Sequence, residues 1–148
     1  MSYLAHLECS ECGHIANAHE LHNLCPQCSS PLWVRYDLDR ARHELDRDRF
    51  ASRPASLWRW AELLPIDDLA QRIDLGEGGT PLLRIDRLAA QLGLREMWLK
   101  DEGRNPTGSF KARGMALAVT RAKVLGVKEF VVPTAGNAGG AAAAYVTR

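Results

Sequence analysis

The sequence predicts an α/β protein in two parts, a small cysteine-rich unit followed by the start of a parallel α/β domain, and three observations predict it. Four cysteines fall in two Cys-x-x-Cys pairs within the first 28 of 148 residues. From residue 76 onward, strand-like and helix-like segments alternate, the pattern that gives a parallel sheet with its sites in the loops after the strands. Finally, the turn Asn105-Pro106-Thr107-Gly108-Ser109-Phe110 delivers Lys111 onto the first turn of a helix.

The cysteine unit spans residues 1–36. Cys9, Cys12, Cys25 and Cys28 read C-x2-C-x12-C-x2-C, with Gly13 and Pro26 placing a turn at each pair. Each turn supplies two soft ligands, and the residues between suffice for a hairpin that brings the pairs to tetrahedral spacing, as in a zinc ribbon. Iron, or a redox-active dithiol, is the alternative. So short a segment has almost no core, so a structural Zn2+ would stabilise its fold directly. His6, His14, His19 and His22 read as surface residues, because four cysteines already close such a site. Leu32–Tyr36 alternates as a closing strand.

Residues 37–75 read as a helical connector. Asp37 to Phe50 is dense in charge and is expected to form an exposed helix, broken at Ser52-Arg53-Pro54. In Leu57 to Leu64, Trp60, Leu63 and Leu64 are expected to share a helical face ended by Pro65, with the tryptophans anchoring this arm on the main domain.

Residues 76–148 carry the α/β rhythm. After the turns of Gly76 to Pro81, a helix is expected over Asp86–Leu92 with Gly93 ending it. Glu96–Lys100 and Glu129–Pro133 read as strands, Phe110–Leu125 and the segment from Ala138 onward as helices. The run from Gly139 to Ala144 has little side-chain bulk and lets its helix approach the sheet or a ligand closely. No phosphate-loop lysine follows these glycines, which argues against nucleotide binding.

Formal net charge is +1, with 19 basic and 18 acidic side chains intermixed, and residues 1–36 hold only Arg35 as a fixed cation against Glu8, Glu11 and Glu20. Neither nucleic acid nor an anionic membrane is an expected partner. The first residues lack a secretory pattern, no apolar run approaches membrane-spanning length, and the paired cysteines suit a reducing compartment, so a cytoplasmic location is expected.

Lys111 is the candidate catalytic residue. Ser109 is a good N-cap, and at a helix N-terminus the dipole disfavours an ammonium and favours the nucleophilic amine, the form that makes Schiff bases. The plainer reading is a solvated first-turn lysine.

Three ordered blocks decide between these readings. Asn105-Pro106-Thr107-Gly108-Ser109-Phe110-Lys111-Ala112-Arg113-Gly114 resembles the cofactor-lysine motif of fold-type II pyridoxal phosphate (PLP) enzymes. Gly76-Glu77-Gly78-Gly79-Thr80-Pro81-Leu82 and Thr134-Ala135-Gly136-Asn137-Ala138-Gly139 resemble two more blocks of that family, in the same order. Within it, GEGGTPL and the cysteine-rich extension are most similar to the threonine synthases. The resemblance implies PLP bound covalently to Lys111, with Phe110 beside the ring and Asn137 on its phenolic oxygen. Thr134, Ala135 and Gly136 would hold the carboxylate of an amino-acid substrate. The implied reaction converts O-phospho-L-homoserine and water to L-threonine and phosphate, and assembly into a homo-oligomer is compatible with it. Ala112 stands where many threonine synthases have aspartate, and Lys-Ala-Arg also occurs in threonine and serine dehydratases, which stay open as an alternative. A non-catalytic zinc-ribbon docking module is the reading from another class. The resemblance also implies a phosphate loop and a ring-nitrogen partner that the 148 residues lack, so the chain is expected to be an incomplete enzyme that holds PLP poorly alone.

Overall fold

A computed structural model describes residues 1–148. The cysteine unit is a three-stranded antiparallel sheet in the order β2–β1–β3, made by β1 (Leu4–Cys9), β2 (Ile15–Ala16) and β3 (Leu32–Tyr36). β3 coincides with the closing strand read from the sequence. Leu7 of β1 lies opposite Ala16 on one side and Val34 on the other. The sheet has little interior, since Ile15, Trp33 and Val34 are all exposed.

The connector forms two short helices, α1 (Leu38–Glu44) and α2 (Arg47–Ser52). Each is capped by an aspartate, Asp37 accepting from Arg40 N and Asp46 from Asp48 N, both at 2.9 Å. Next, Leu57–Leu63 is a 3-10 helix. The expected shared face of Trp60, Leu63 and Leu64 is not formed. The backbone kinks at Trp60 (φ −99°, ψ 27°), and it is Leu57 and Trp58 that turn inward. Trp60 stays 44% exposed and rests on Phe50, ring centroids 4.9 Å apart, while Leu64 does reach the edge of the core. Trp58 is the anchor because its indole N–H, costly to bury unpaired, meets a carboxylate there.

That core joins Leu57, Trp58, Ile66 and Ile73 to Ala112, Ala116 and Val119 of α4 (Lys111–Val124) and Tyr145 of α5 (Asn137–Val146). Full burial of each large apolar side chain contributes roughly 1.5–3 kcal/mol. Buried Thr120 adds a polar tie, its Oγ1 accepting from Ile73 N at 2.9 Å. α4 and α5 pack against each other, and both bury small residues, Ala112 and Ala116 on α4 and Ala141 and Ala142 on α5.

The parallel sheet expected from the sequence is not present. β5 (Trp98–Lys100) pairs antiparallel with β4 (Leu82–Arg84), and α3 (Asp86–Gln91) lies between them, ended by Gly93 at φ +66°. Residues 129–133 form no strand, and Val131 is 94% exposed. Their apolar run marks what a strand would bury, but a strand needs a neighbour for its ladder, and none lies beside it. No helix is long and apolar enough to cross a membrane.

Candidate functional site

The turn that presents Lys111 is braced by side chains from three segments. Arg113 donates twice to Glu102, at 2.6 and 2.8 Å, and Thr80 Oγ1 donates to Glu102 at 2.6 Å. The guanidinium beside it holds the Glu102 carboxyl down to about 2. Buried Asn105 accepts from Gly78 N at 3.1 Å and donates to Glu102 O at 2.9 Å. The 76–82 block is thereby tied to the lysine loop. Its glycines have a geometric reason: at Gly78 (φ +96°) and Gly79 (φ +58°), a Cβ would run into the backbone of residues 55–57. Sequence reasoning missed this bracing. Glu102, just before the motif, and Arg113 within it, eleven residues apart, were its visible signal.

Lys111 is the first residue of α4, and the N-cap position falls on Phe110 rather than on Ser109 as expected, because Phe110 is already in helical conformation; Ser109 Oγ still accepts from the Lys111 backbone N–H at 3.3 Å. The side chain is half-buried and opens on a cavity of about 430 Å3, lined by Lys111 with Pro133, Thr134, Ala135, Gly136, Asn137 and Ala138. Lys111, Thr134, Ala135, Gly136 and Asn137 are thus brought together. Phe110 stands at the rim, 57% exposed and outside that lining, with its ring centroid 4.4 Å from Lys111 Nζ.

The opposite wall is the start of α5. Thr134 Oγ1 accepts from Gly136 N and Gly139 N, both at 3.0 Å, so its hydroxyl serves as a helix cap. Gly139 is small for the same reason: a Cβ there would lie 2.6 Å from the Thr134 methyl. Asn137 and Ala138, the first two helical residues, have N–H groups without an intrahelical acceptor. Together with the dipole, they make this wall receptive to a carboxylate or phosphate.

The four cysteine Sγ atoms lie within 4.8 Å of one another, with Cys9 to Cys28 at 3.3 Å and Cys12 to both Cys25 and Cys28 at 3.6 Å. Thiolates around a tetrahedral zinc stand roughly 3.8 Å apart, given Zn–S bonds of about 2.3 Å, so the cluster fits such an ion. Cys9 and Cys25 are buried, while Cys12 and Cys28 are exposed. Backbone N–H groups of Glu11 and Gln27 donate to Cys9 and Cys25 Sγ, at 3.4 Å each, as a charged sulfur ligand requires. Hydrogen bonds from Ser30 bring the Cys28 thiol down to about 6.

Known proteins resemble this chain over most of its length. The model of the pyridoxal-phosphate dependent enzyme family matches residues 73–148. A threonine synthase of Methanocaldococcus jannaschii is 39% identical over 140 residues, covering 95% of this chain and 34% of its own length. A threonine synthase of Methanosarcina acetivorans matches to the same extent, and one from Halalkalibacterium halodurans is 42% identical over 98 residues, 63% of this chain and 27% of its own. The chain therefore spans about a third of the length of the first two curated relatives. An alignment of 140 residues out of 148 necessarily takes in the cysteine unit, so the similarity to the two archaeal proteins extends beyond the lysine domain.

Proposed function

The chain belongs to the pyridoxal-phosphate dependent enzyme family, and from that membership we propose that Lys111 carries PLP covalently in an enzyme converting O-phospho-L-homoserine and water to L-threonine and phosphate. The observation that carries this reading is the cavity in which Lys111 faces Asn137 and the exposed N–H groups at the start of α5. When bound, PLP supplies an electron sink for negative charge developing at the substrate α-carbon. Once the substrate's amino group has displaced it from the cofactor, Lys111 Nζ would be free to take and return the proton at that carbon. The Asn137 amide orients the cofactor ring at its phenolic oxygen, and Phe110 offers an aromatic edge beside it. Thr134, Ala135 and Gly136, with the N–H groups of Asn137 and Ala138, hold the substrate carboxylate.

The threonine synthase reading is supported by the relatives' similarity over 95% of the chain. Ala112, whose identity left a dehydratase open, is fully buried and does not line the cavity. Its small side chain reports packing and carries no argument about substrate. In the same proposal Cys9, Cys12, Cys25 and Cys28 hold a structural Zn2+, and the three-part division at residues 36 and 75 stands in a cytoplasmic enzyme with a small-molecule substrate.

The test uses the chain together with whatever coding sequence follows it. PLP should give a visible absorption band that borohydride reduction traps on Lys111, identified by peptide mass. Phosphohomoserine should release phosphate, and threonine should release little keto acid. Trapping at another lysine, or keto acid as the main product, would overturn the reading. One bound zinc per chain by elemental analysis tests the metal.

A further inference from the structure

α5 is a smooth helix. Between Asn137 and Tyr145 it has only glycine and alanine, and Ala141 and Ala142 are buried in its packing. Such a face permits close approach but offers no knobs to fix its rotation or its position along the axis. Tyr145 is the exception. It is fully buried, and its hydroxyl donates to Glu77 Oε2 at 2.7 Å.

Glu77 is itself fully buried, and its carboxylate accepts from three donors, none a cation. Besides Tyr145 they are Trp58 Nε1 at 2.8 Å and Leu75 N at 3.0 Å. Burial, and then the contact with Glu77, raise the Tyr145 phenol well above its ordinary range, so at neutral pH it is the donor in that bond. The carboxylate therefore stands where the connector, the 76–82 turn and the far end of α5 meet, and its partners Trp58 and Tyr145 share one core with Ala112 and Ala116 of α4. Buried charge is a costly way to gain stability, since apolar residues of similar size do as well, and its attested use is to fix one register among several.

We propose that Glu77 is a positioning residue: through Tyr145 it sets the register of α5 on α4, and so the spacing between Lys111 and the Thr134–Asn137 wall. Tyr145 lies eight residues from Asn137, roughly 12 Å along the axis at about 1.5 Å per residue. A hydrogen bond at one end of the helix thus places the loop at the other. The functional consequence rests on the reading of that cavity as the PLP site, whereas the register itself does not.

Two variants that each remove one donor from Glu77 separate this role from simple bracing. Tyr145→Phe keeps the ring and removes the hydroxyl on α5. Trp58→Phe removes the donor on the connector and leaves α5 untouched. Backbone amide spectra of the 15N-labelled chain, recorded below the melting transition of each variant, should show Tyr145→Phe moving the resonances of residues 134–139. Trp58→Phe should leave them in place even where it lowers the melting temperature more. Apparent PLP affinity, from the trapped fraction on Lys111, should fall about tenfold in Tyr145→Phe alone. Shifts confined to the last turn of α5 and to residues near Glu77 would overturn the proposal, as would equal shifts at 134–139 in both variants. The PLP measurement uses the chain together with the coding sequence that follows it; if that protein forms no adduct at Lys111, the PLP reading fails, and the amide shifts still decide the register.

Discussion

The four thiols of the ribbon come from two turns, with Cys9 and Cys28 nineteen positions apart, and each turn's backbone aims its own ligands. The cavity at Lys111 is assembled differently. Its lysine wall depends on Thr80, Glu102 and Arg113, and its opposite wall on a helix whose one long buried side chain bonds a carboxylate 68 positions away. The ribbon is local and has nearly no core, so its integrity is tied to its ligands. The cavity is held by distant contacts within a packed core, so its residues divide into those that line it and those that place them.

Exchanges at each region test that division. Lys111→Ala should abolish PLP trapping at this site completely while changing stability by no more than about 0.5 kcal/mol, because the half-buried side chain borders an open cavity and its Nζ makes no hydrogen bond. A melting temperature lowered by many degrees would show that the lysine is structural. In the ribbon, where ligand and fold coincide, Cys25→Ser should weaken zinc binding by roughly 100-fold or more and broaden amide resonances across residues 1–36. Competition with a chromogenic chelator reads the affinity. Unchanged metal content would break the contrast.

The brace gives a smaller effect with a defined pH window. Glu102 is held near 2 in the folded chain, below its ordinary value of 4.5. Its contribution is therefore fully present above about 4.5 and is lost as pH falls toward 2. Glu102→Gln should cost roughly 1–2 kcal/mol near neutral pH, a figure discounted for partial exposure, and should flatten the acid limb of stability across that window. Urea titrations at successive pH values measure both. The smallest effect is at the α5 cap. Gly139→Ala alone should destabilise by about 1 kcal/mol, because the methyl meets Thr134; in a Thr134→Ser background, it should instead stabilise by up to about 1 kcal/mol through helix propensity.

The same contrast explains what was legible in the sequence. Cysteine spacing and the alternation of residues 32–36 predicted the ribbon because both signals are local. The lysine turn and the asparagine loop were legible as motifs, and the structure brings them to one cavity. Trp60 was misread because an α-helical period was applied to a 3-10 segment. Residues 129–133 were misread because an apolar run says nothing about whether a partner strand is at hand. β4 was missed inside a block noticed for its glycines. The Glu77 contacts with Trp58 and Tyr145 depend on packing between distant segments, which no local pattern reports.

The sealed position of Ala112 has a practical corollary for anyone redesigning this protein. Residue 112 follows Lys111 in the chain yet lies in the core shared by Trp58, Ile66 and Tyr145, with no exposed surface at all. A longer or charged replacement there has nowhere to go unless those neighbours give way, so altering the residue after Lys111 is a repacking problem across distant segments, and libraries that vary it alone will mostly sample damaged packing.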